Sequence, residues 1–131
     1  MKISAIVLIS ASLPLALLAY SGGPPNGYTG APNEDNCTAC HSSYPLNSGD
    51  GNMLLTTPET YVPGETYSLT ISLTDAGQQR WGFELTSLGI GDITVTDPTN
   101  TQLSTSGDIS YLKQTQTGSA AGTPDGPIVW S

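Results

Sequence analysis

Two cysteines and one histidine, all that the chain has of either type, lie within five positions, Cys37-Thr38-Ala39-Cys40-His41. C-x-x-C-H is the attachment sequence for a c-type haem, in which both thiols form thioethers with the porphyrin vinyl groups and the histidine binds iron. Two intervening residues let both sulfurs reach one porphyrin edge from a single turn of backbone. The pattern therefore predicts one covalently attached haem c, held by Cys37 and Cys40, with His41 as the proximal iron ligand.

Other chemistries are compatible with these five residues. In an oxidising compartment Cys37 and Cys40 can form a local disulfide or remain thiols. Thioredoxin-like chemistry requires C-x-x-C at a strand-to-helix junction, whereas this pair lies between Gly- and Pro-rich coil and Ser42-Ser43-Tyr44-Pro45. Zinc would need a fourth ligand beyond the three present here. The overlapping sequon Asn36-Cys37-Thr38 is interpreted as accidental.

The distal iron ligand is not specified by the attachment sequence. Met53 is the one methionine that remains beyond the N-terminal segment, and a thioether ligand would raise the reduction potential. A core position leading into Leu54 and Leu55 is the interpretation of Met53 that the sequence favours. Lys113 would bind iron only with a buried side chain and a lowered pKa, so a solvated lysine is expected there. A water molecule or a ligand from another chain also fits.

The first 21 residues have the three parts of a secretory signal peptide. Met1-Lys2 is positively charged, an apolar stretch follows, and Ala19-Tyr20-Ser21 gives a small-x-small cleavage pattern. The apolar stretch is short for a membrane-spanning helix, which needs about 20 apolar residues. We expect an exported, extracytoplasmic protein (secreted, periplasmic or on the cell surface) with no membrane insertion after signal removal. An uncleaved N-terminal anchor is the alternative.

The chain is acidic, with 11 Asp and Glu against 3 Lys and Arg and a formal net charge of −8. This balance argues against nucleic acid and anionic membrane surfaces as partners. An acidic electron carrier would be steered towards basic redox partners, whose identity the sequence does not give. The same charge also serves solubility.

The organisation of the chain predicts a small all-β domain. Residues 22–51 are rich in Gly, Pro, Asn and Ser, which predicts a loop-rich segment ordered by whatever binds the two cysteines. From residue 52 the hydrophobic period becomes two, with strands predicted at 53–55, 67–74, 81–86, 93–95 and 109–112 and turns at 97–100 and 106–108. We expect an antiparallel β-sandwich over residues 52–131 that forms one domain with residues 22–51.

Three segments resemble a known family: Tyr28-Thr29-Gly30-Ala31-Pro32 ahead of the C-x-x-C-H sequence, Tyr61-Val62-Pro63-Gly64-Glu65-Thr66-Tyr67, and Trp81-Gly82-Phe83-Glu84-Leu85-Thr86. They are similar to the bacterial reeler-like secreted proteins, also labelled choice-of-anchor V domain proteins. The resemblance implies an immunoglobulin-like β-sandwich, a secreted or cell-surface location with possible surface attachment, and no established enzymatic activity. Bacterial members often carry C-x-x-C-H early in the domain.

Two departures from the family pattern stand out. Members tend to have a His-Thr or His-Ser near the penultimate strands, where this chain has Tyr111-Leu112-Lys113-Gln114-Thr115. The pattern also continues beyond the position of Trp130, so we expect a C-terminus truncated from a longer protein.

The sequence favours a secreted or cell-surface monohaem c-type cytochrome domain that transfers one electron. One alternative is a reeler-like binding or adhesion module with a structural Cys37–Cys40 disulfide. Another is a haem-based gas sensor or peroxidase, which is less favoured because the chain has no second histidine and a single arginine, Arg80. Trp81, Phe83 and Tyr44 are expected to supply apolar contacts.

Overall fold

The structure is a computed structural model that describes residues 20–120 and 128–130. Most of the predicted signal peptide, residues 1–19, lies outside the described residues. Six strands form two antiparallel sheets, which confirms the all-β prediction. They are β1 (Asn52–Thr56), β2 (Thr70–Thr74), β3 (Glu84–Thr86), β4 (Thr101–Ser106), β5 (Ile109–Gln114) and β6 (Ile128–Trp130). The first sheet has the order β1-β2-β6, and the second has the order β3-β5-β4.

The tightest connection is the hairpin between β4 and β5. Ser106 pairs with Ile109, so the loop consists of Gly107 and Asp108 alone. Gly107 has φ +58°, as the first central position of a type II′ turn requires, and glycine adopts this value without a steric penalty. The turn predicted at residues 106–108 is thereby confirmed, and it connects β4 to β5 in the second sheet.

A small apolar cluster contains side chains from both sheets. Ile71, Trp81 and Phe83 are buried, and Leu73, Leu85 and Leu112 pack against them. Ile71 and Leu73 alternate with Ser72 and Thr74 along β2, because successive strand residues point to opposite faces. The period-two pattern seen in the sequence therefore identifies the core face of β2 correctly.

The other face of the second sheet is polar, and residues 22–34 cover it. Gln102 Nε2 donates to Gly22 O at 2.5 Å, and Ser104 Oγ donates to Asn26 Oδ1 at 2.7 Å. Glu84 Oε2 accepts from the Tyr28 N–H at 2.6 Å. The loop-rich segment before the attachment sequence is thus ordered by hydrogen bonds to a sheet, whereas the sequence suggested a group bound to the cysteines as its organiser.

Strand positions differ from the predictions in four places. The segment 93–95 alternates but forms no ladder, because intrinsic β-propensity makes a strand only where a partner strand is in register. The strands predicted at 67–74 and 81–86 are shortened to β2 and β3. The sequence pattern did not predict β4, because a strand with Leu103 as its single large apolar residue gives a weak hydrophobic pattern.

Candidate functional site: the cysteine turn and the neighbouring cleft

The C-x-x-C-H sequence forms a single helical turn. A 3₁₀ turn spans Cys37–Ala39, and Cys37 O accepts from the Cys40 N–H at 3.2 Å and from the His41 N–H at 2.8 Å. Asn36 caps the turn, because its Oδ1 accepts from the Thr38 N–H at 2.9 Å and from the Thr38 hydroxyl at 2.7 Å. This cap occupies the Asn36 side chain.

Both thiols are accessible on this turn. Cys37 and Cys40 are free and exposed, and His41 is exposed as well. Two thiols three residues apart on one turn can be bridged by a single electrophilic partner that carries two reactive groups, as the vinyls of a porphyrin do. The exposure of both thiols is compatible with haem attachment.

A metal site made from protein side chains alone is not formed in this region. Among residues 20–120 and 128–130, no three His, Cys, Asp or Glu side chains are grouped so that they could hold a metal ion. A haem iron takes its equatorial ligands from the porphyrin, so the chain would contribute axial ligands only. The donors present here are one exposed imidazole, that of His41, and two exposed thiols, which are the groups that would hold a haem.

The loop before the turn connects it to an apolar cleft. Gly30 N–H donates to Asp35 O at 2.8 Å, and a Cβ at Gly30 would lie 3.6 Å from Cβ of Asn36, the residue that precedes the turn. Thr29 Oγ1 donates to the Glu34 carboxylate. Residues 29–31 form one wall of the cleft, so the wall and the attachment turn belong to one hydrogen-bonded loop.

The cleft lies between β1 and β2 on one side and β3 on the other, and has a volume of about 280 Å³. Its lining is mostly apolar, consisting of Thr29, Gly30, Ala31, Met53, Leu55, Ile71, Phe83, Glu84, Leu85 and Thr86. Ligand sites commonly combine such an apolar lining with a few polar groups. A second cleft is lined by Met53, Leu73 and Trp81 among others, so Met53 borders both.

Met53 is not a core residue in this structure. Its side chain is 65% exposed, and every residue of β1 is exposed. The core position favoured by the sequence is therefore wrong, because β1 is an edge strand and none of residues 20–120 buries its apolar run. Of the three expected aromatic contacts, Phe83 and Trp81 are buried at the two clefts, whereas Tyr44 is largely exposed.

Lys113 is buried, contrary to the solvated lysine expected from sequence. Its ammonium lies 3.3 Å from Glu84 Oε1, donates to Pro24 O at 2.5 Å and to Asn26 Oδ1, and lies 5.9 Å from the centre of the Tyr111 ring. These contacts place Nζ beside a carboxylate and two further oxygen acceptors, so the group is already engaged within the fold. The structure therefore argues against Lys113 as an iron ligand.

A second polar pair holds the loop that leads to the cysteines. Tyr111 OH donates to Glu34 Oε1 at 2.6 Å. Glu34 lies three residues before Cys37 in the sequence. The hydroxyls of Thr29 and Tyr111 hold the pKa of Glu34 below its ordinary value. The same bond to Glu34 raises the pKa of Tyr111 to about 12. The sequence pattern did not predict this network. Polar residues at alternate positions of β3 and β5 could have indicated that one face of this sheet is polar.

Comparison with protein-family models, curated proteins and solved structures gave no significant match. Within the described ranges, no helix is long and apolar enough to cross a membrane.

Proposed function

We propose that this protein is an extracytoplasmic monohaem c-type cytochrome domain that transfers single electrons. The observation that supports this most directly is the helical turn that presents Cys37, Cys40 and His41 together at the surface. No other arrangement of chemistry-bearing side chains in the described part of the chain combines free thiols with an adjacent imidazole.

The roles of the three residues follow from their chemistry. Cys37 and Cys40 would each add across one porphyrin vinyl group, and His41 would bind iron on the proximal side. When bound, the haem supplies reversible one-electron chemistry. The chain's contribution is to hold the imidazole beside the two anchors, which the hydrogen bonds from Cys40 and His41 to Cys37 O maintain.

The finer fold and location belong to the same proposal. The two antiparallel sheets share an apolar cluster, which supports a reeler-like, immunoglobulin-like sandwich. A signal peptide over residues 1–21 would bring the chain to the compartment where c-type haem is attached. Cell fractionation of the full chain tests the location, and a cytoplasmic, unprocessed protein would contradict it.

Covalent haem retention is the decisive test of function. The full chain is expressed with a cytochrome c maturation system and stained for haem after denaturing electrophoresis. We expect stain in the wild type, and in Ser42→Ala as a control next to the attachment sequence. Loss of stain is expected in the double variant Cys37→Ala/Cys40→Ala.

Two results would contradict the cytochrome proposal. One is an unstained wild type, and the other is stain that persists in the double variant. If the unstained wild type also carries a Cys37–Cys40 disulfide by mass spectrometry, the binding or adhesion module becomes the better interpretation. Rapid binding of carbon monoxide or cyanide by a stained protein would favour the gas sensor or peroxidase.

A further inference from the structure

The strand β1 exposes an apolar run that no described residue covers. Met53, Leu54 and Leu55 are all exposed, whereas Ile71 opposite Leu55 on β2 is 5% exposed. Soluble proteins rarely leave contiguous apolar surface open unless something binds there. The exposed apolar run therefore indicates that an apolar partner binds at β1.

Strand geometry divides this run between two faces. Successive side chains of a strand alternate, so Met53 and Leu55 point to one side and Leu54 to the other. The lining of the cleft agrees, because it includes Met53 and Leu55 and does not include Leu54. The chain thus provides an internal comparison between two neighbouring leucines that are both exposed, Leu54 at 56% and Leu55 at 39%.

The loop that forms one wall of the cleft also leads into the attachment turn. The wall at residues 29–31 is hydrogen-bonded to Glu34 and Asp35, and a Cβ added at Gly30 would lie 3.6 Å from Cβ of Asn36. A group covalently fixed at Cys37 and Cys40 would begin immediately beyond this wall. For a large flat apolar ring attached there, the cleft is the apolar surface whose lining residues lie nearest in the sequence.

Elimination identifies one distal ligand within this chain. His41 is its only histidine, and both cysteines are assigned as anchors. Lys113 is held as an ammonium by Glu84 and the Pro24 carbonyl. Met53 offers a thioether on the cleft side of β1 and is 65% exposed, so it is accessible to a ligand.

We infer that the cleft between β1–β2 and β3 receives the face of the haem attached at Cys37 and Cys40, and that Met53 is the distal iron ligand. This inference rests on the proposed cytochrome function. Leu55, Ile71 and Phe83 form the apolar surface that excludes water from the ring on this side. A thioether ligand raises the reduction potential, which suits an electron carrier.

The ligand is tested in the haem-loaded protein by Met53→Leu. We expect loss of the long-wavelength charge-transfer band of thioether-ligated ferric haem, a lower reduction potential, and new binding of carbon monoxide to the ferrous form. Leu54→Ala, on the opposite face, should keep all three properties of the wild type. Unchanged spectra and potential in Met53→Leu would overturn the assignment of Met53.

The location of the ring is tested by a matched pair, Leu55→Lys and Leu54→Lys. Circular dichroism in the Soret region reports the asymmetric surroundings of the haem, and only Leu55→Lys should change it. Equal changes in both variants, or none in Leu55→Lys, would overturn the location. Both variants must first stain for haem. An unstained wild type would contradict the proposed cytochrome function, whereas a stained protein with the wrong pattern of circular dichroism would contradict only the location of the haem.

Discussion

Lys113 and Glu84 face each other across β5 and β3, with Nζ and Oε1 3.3 Å apart and both side chains withdrawn from water. The exposed fractions are 6% for the lysine side chain and 2% for the glutamate side chain. Both partners also bind the segment before the cysteine turn, Lys113 through Pro24 O and Glu84 through the Tyr28 N–H. The pair therefore fastens that segment to the second sheet.

Removing one member of this pair should strongly destabilise the protein. Lys113→Met leaves the Glu84 carboxylate buried without its cation, which typically costs about 3–5 kcal/mol. Urea unfolding followed by circular dichroism gives the free energy of unfolding. The double variant Lys113→Met/Glu84→Gln should lose less than the sum of the single variants, because it leaves no uncompensated buried charge.

Arg80→Met is the control for the loss of a cation. Arg80 is exposed, with Nη1 3.4 Å from Ser119 Oγ, and surface substitutions of this kind change stability by about 0.5 kcal/mol or less. Equal losses in Arg80→Met and Lys113→Met would show that the buried pair contributes nothing specific.

The Glu34–Tyr111 bond predicts a stability change in acid. The folded protein lowers the pKa of Glu34 from its ordinary 4.5, so folding favours the carboxylate. This contribution is fully present above pH 4.5 and is lost as the pH falls through the lowered folded pKa. Tyr111→Phe removes one of the donors and should weaken this acid dependence. Unfolding measured across acid pH, with an NMR titration of the Glu34 carboxyl carbon, checks it.

At alkaline pH the same bond acts through the phenol. The bond to Glu34 raises the pKa of Tyr111 from 10.0 to about 12, so folding favours the neutral phenol. This stabilisation is fully present below pH 10 and is lost as the pH rises towards 12. An absorbance titration of the phenolate should show one tyrosine titrating late, and Tyr111→Phe should abolish that step. A late step that survives the substitution would contradict the assignment.

The cap of the cysteine turn should control the order of the turn with little effect on global stability. Asn36→Ala removes the acceptor for the Thr38 N–H and hydroxyl, and such a cap is typically worth about 1 kcal/mol. We expect faster amide hydrogen exchange at Cys40 and His41 in Asn36→Ala, and near wild-type exchange in Asn36→Asp, which keeps the acceptor. Identical exchange in all three proteins would refute a role for the cap.

Two glycines form a matched test of backbone packing. A Cβ at Gly118 would lie 2.0 Å from Asn100 O, and that carbonyl is held by a 2.8 Å bond from the Thr115 N–H. Gly118→Ala should therefore cost about 1–3 kcal/mol. At Gly91 nothing lies within 4 Å, so Gly91→Ala should be neutral or should stabilise by about 0.4–1 kcal/mol through the unfolded chain. Thermal unfolding of both variants decides the matter.

The sequence could predict the fold class, the core face of β2 and the β4–β5 turn, because these depend on local periodicity and on one glycine. It could not predict that Lys113 is buried, since the partners that make this possible, Pro24, Asn26 and Glu84, are distant along the chain. The exposure of Met53 was equally unpredictable, because an edge strand and a central strand have the same local pattern.

In the candidate site, the sequence alone predicted Cys37, Cys40 and His41 as site residues, because spacing along a single turn is a local property. The cleft did not, because its walls are brought together from residues 29–31, β1, β2 and β3. A pattern read along the chain identifies the anchors of a ligand, whereas the surface that receives the ligand is set by tertiary packing.

The set of hydrogen bonds between residues 22–34 and the second sheet also affects the order of folding. Its bonds join residues 56 to 89 positions apart, such as Tyr28 with Glu84 and Lys113 with Pro24. Contacts over such separations form late, because a long stretch of chain must first be confined. Until β3 and β5 are formed, residues 22–34 and the cysteine turn that follows them have no sheet to dock against. The order of the segment that leads to Cys37 and Cys40 therefore depends on the formation of a sheet in which neither residue takes part.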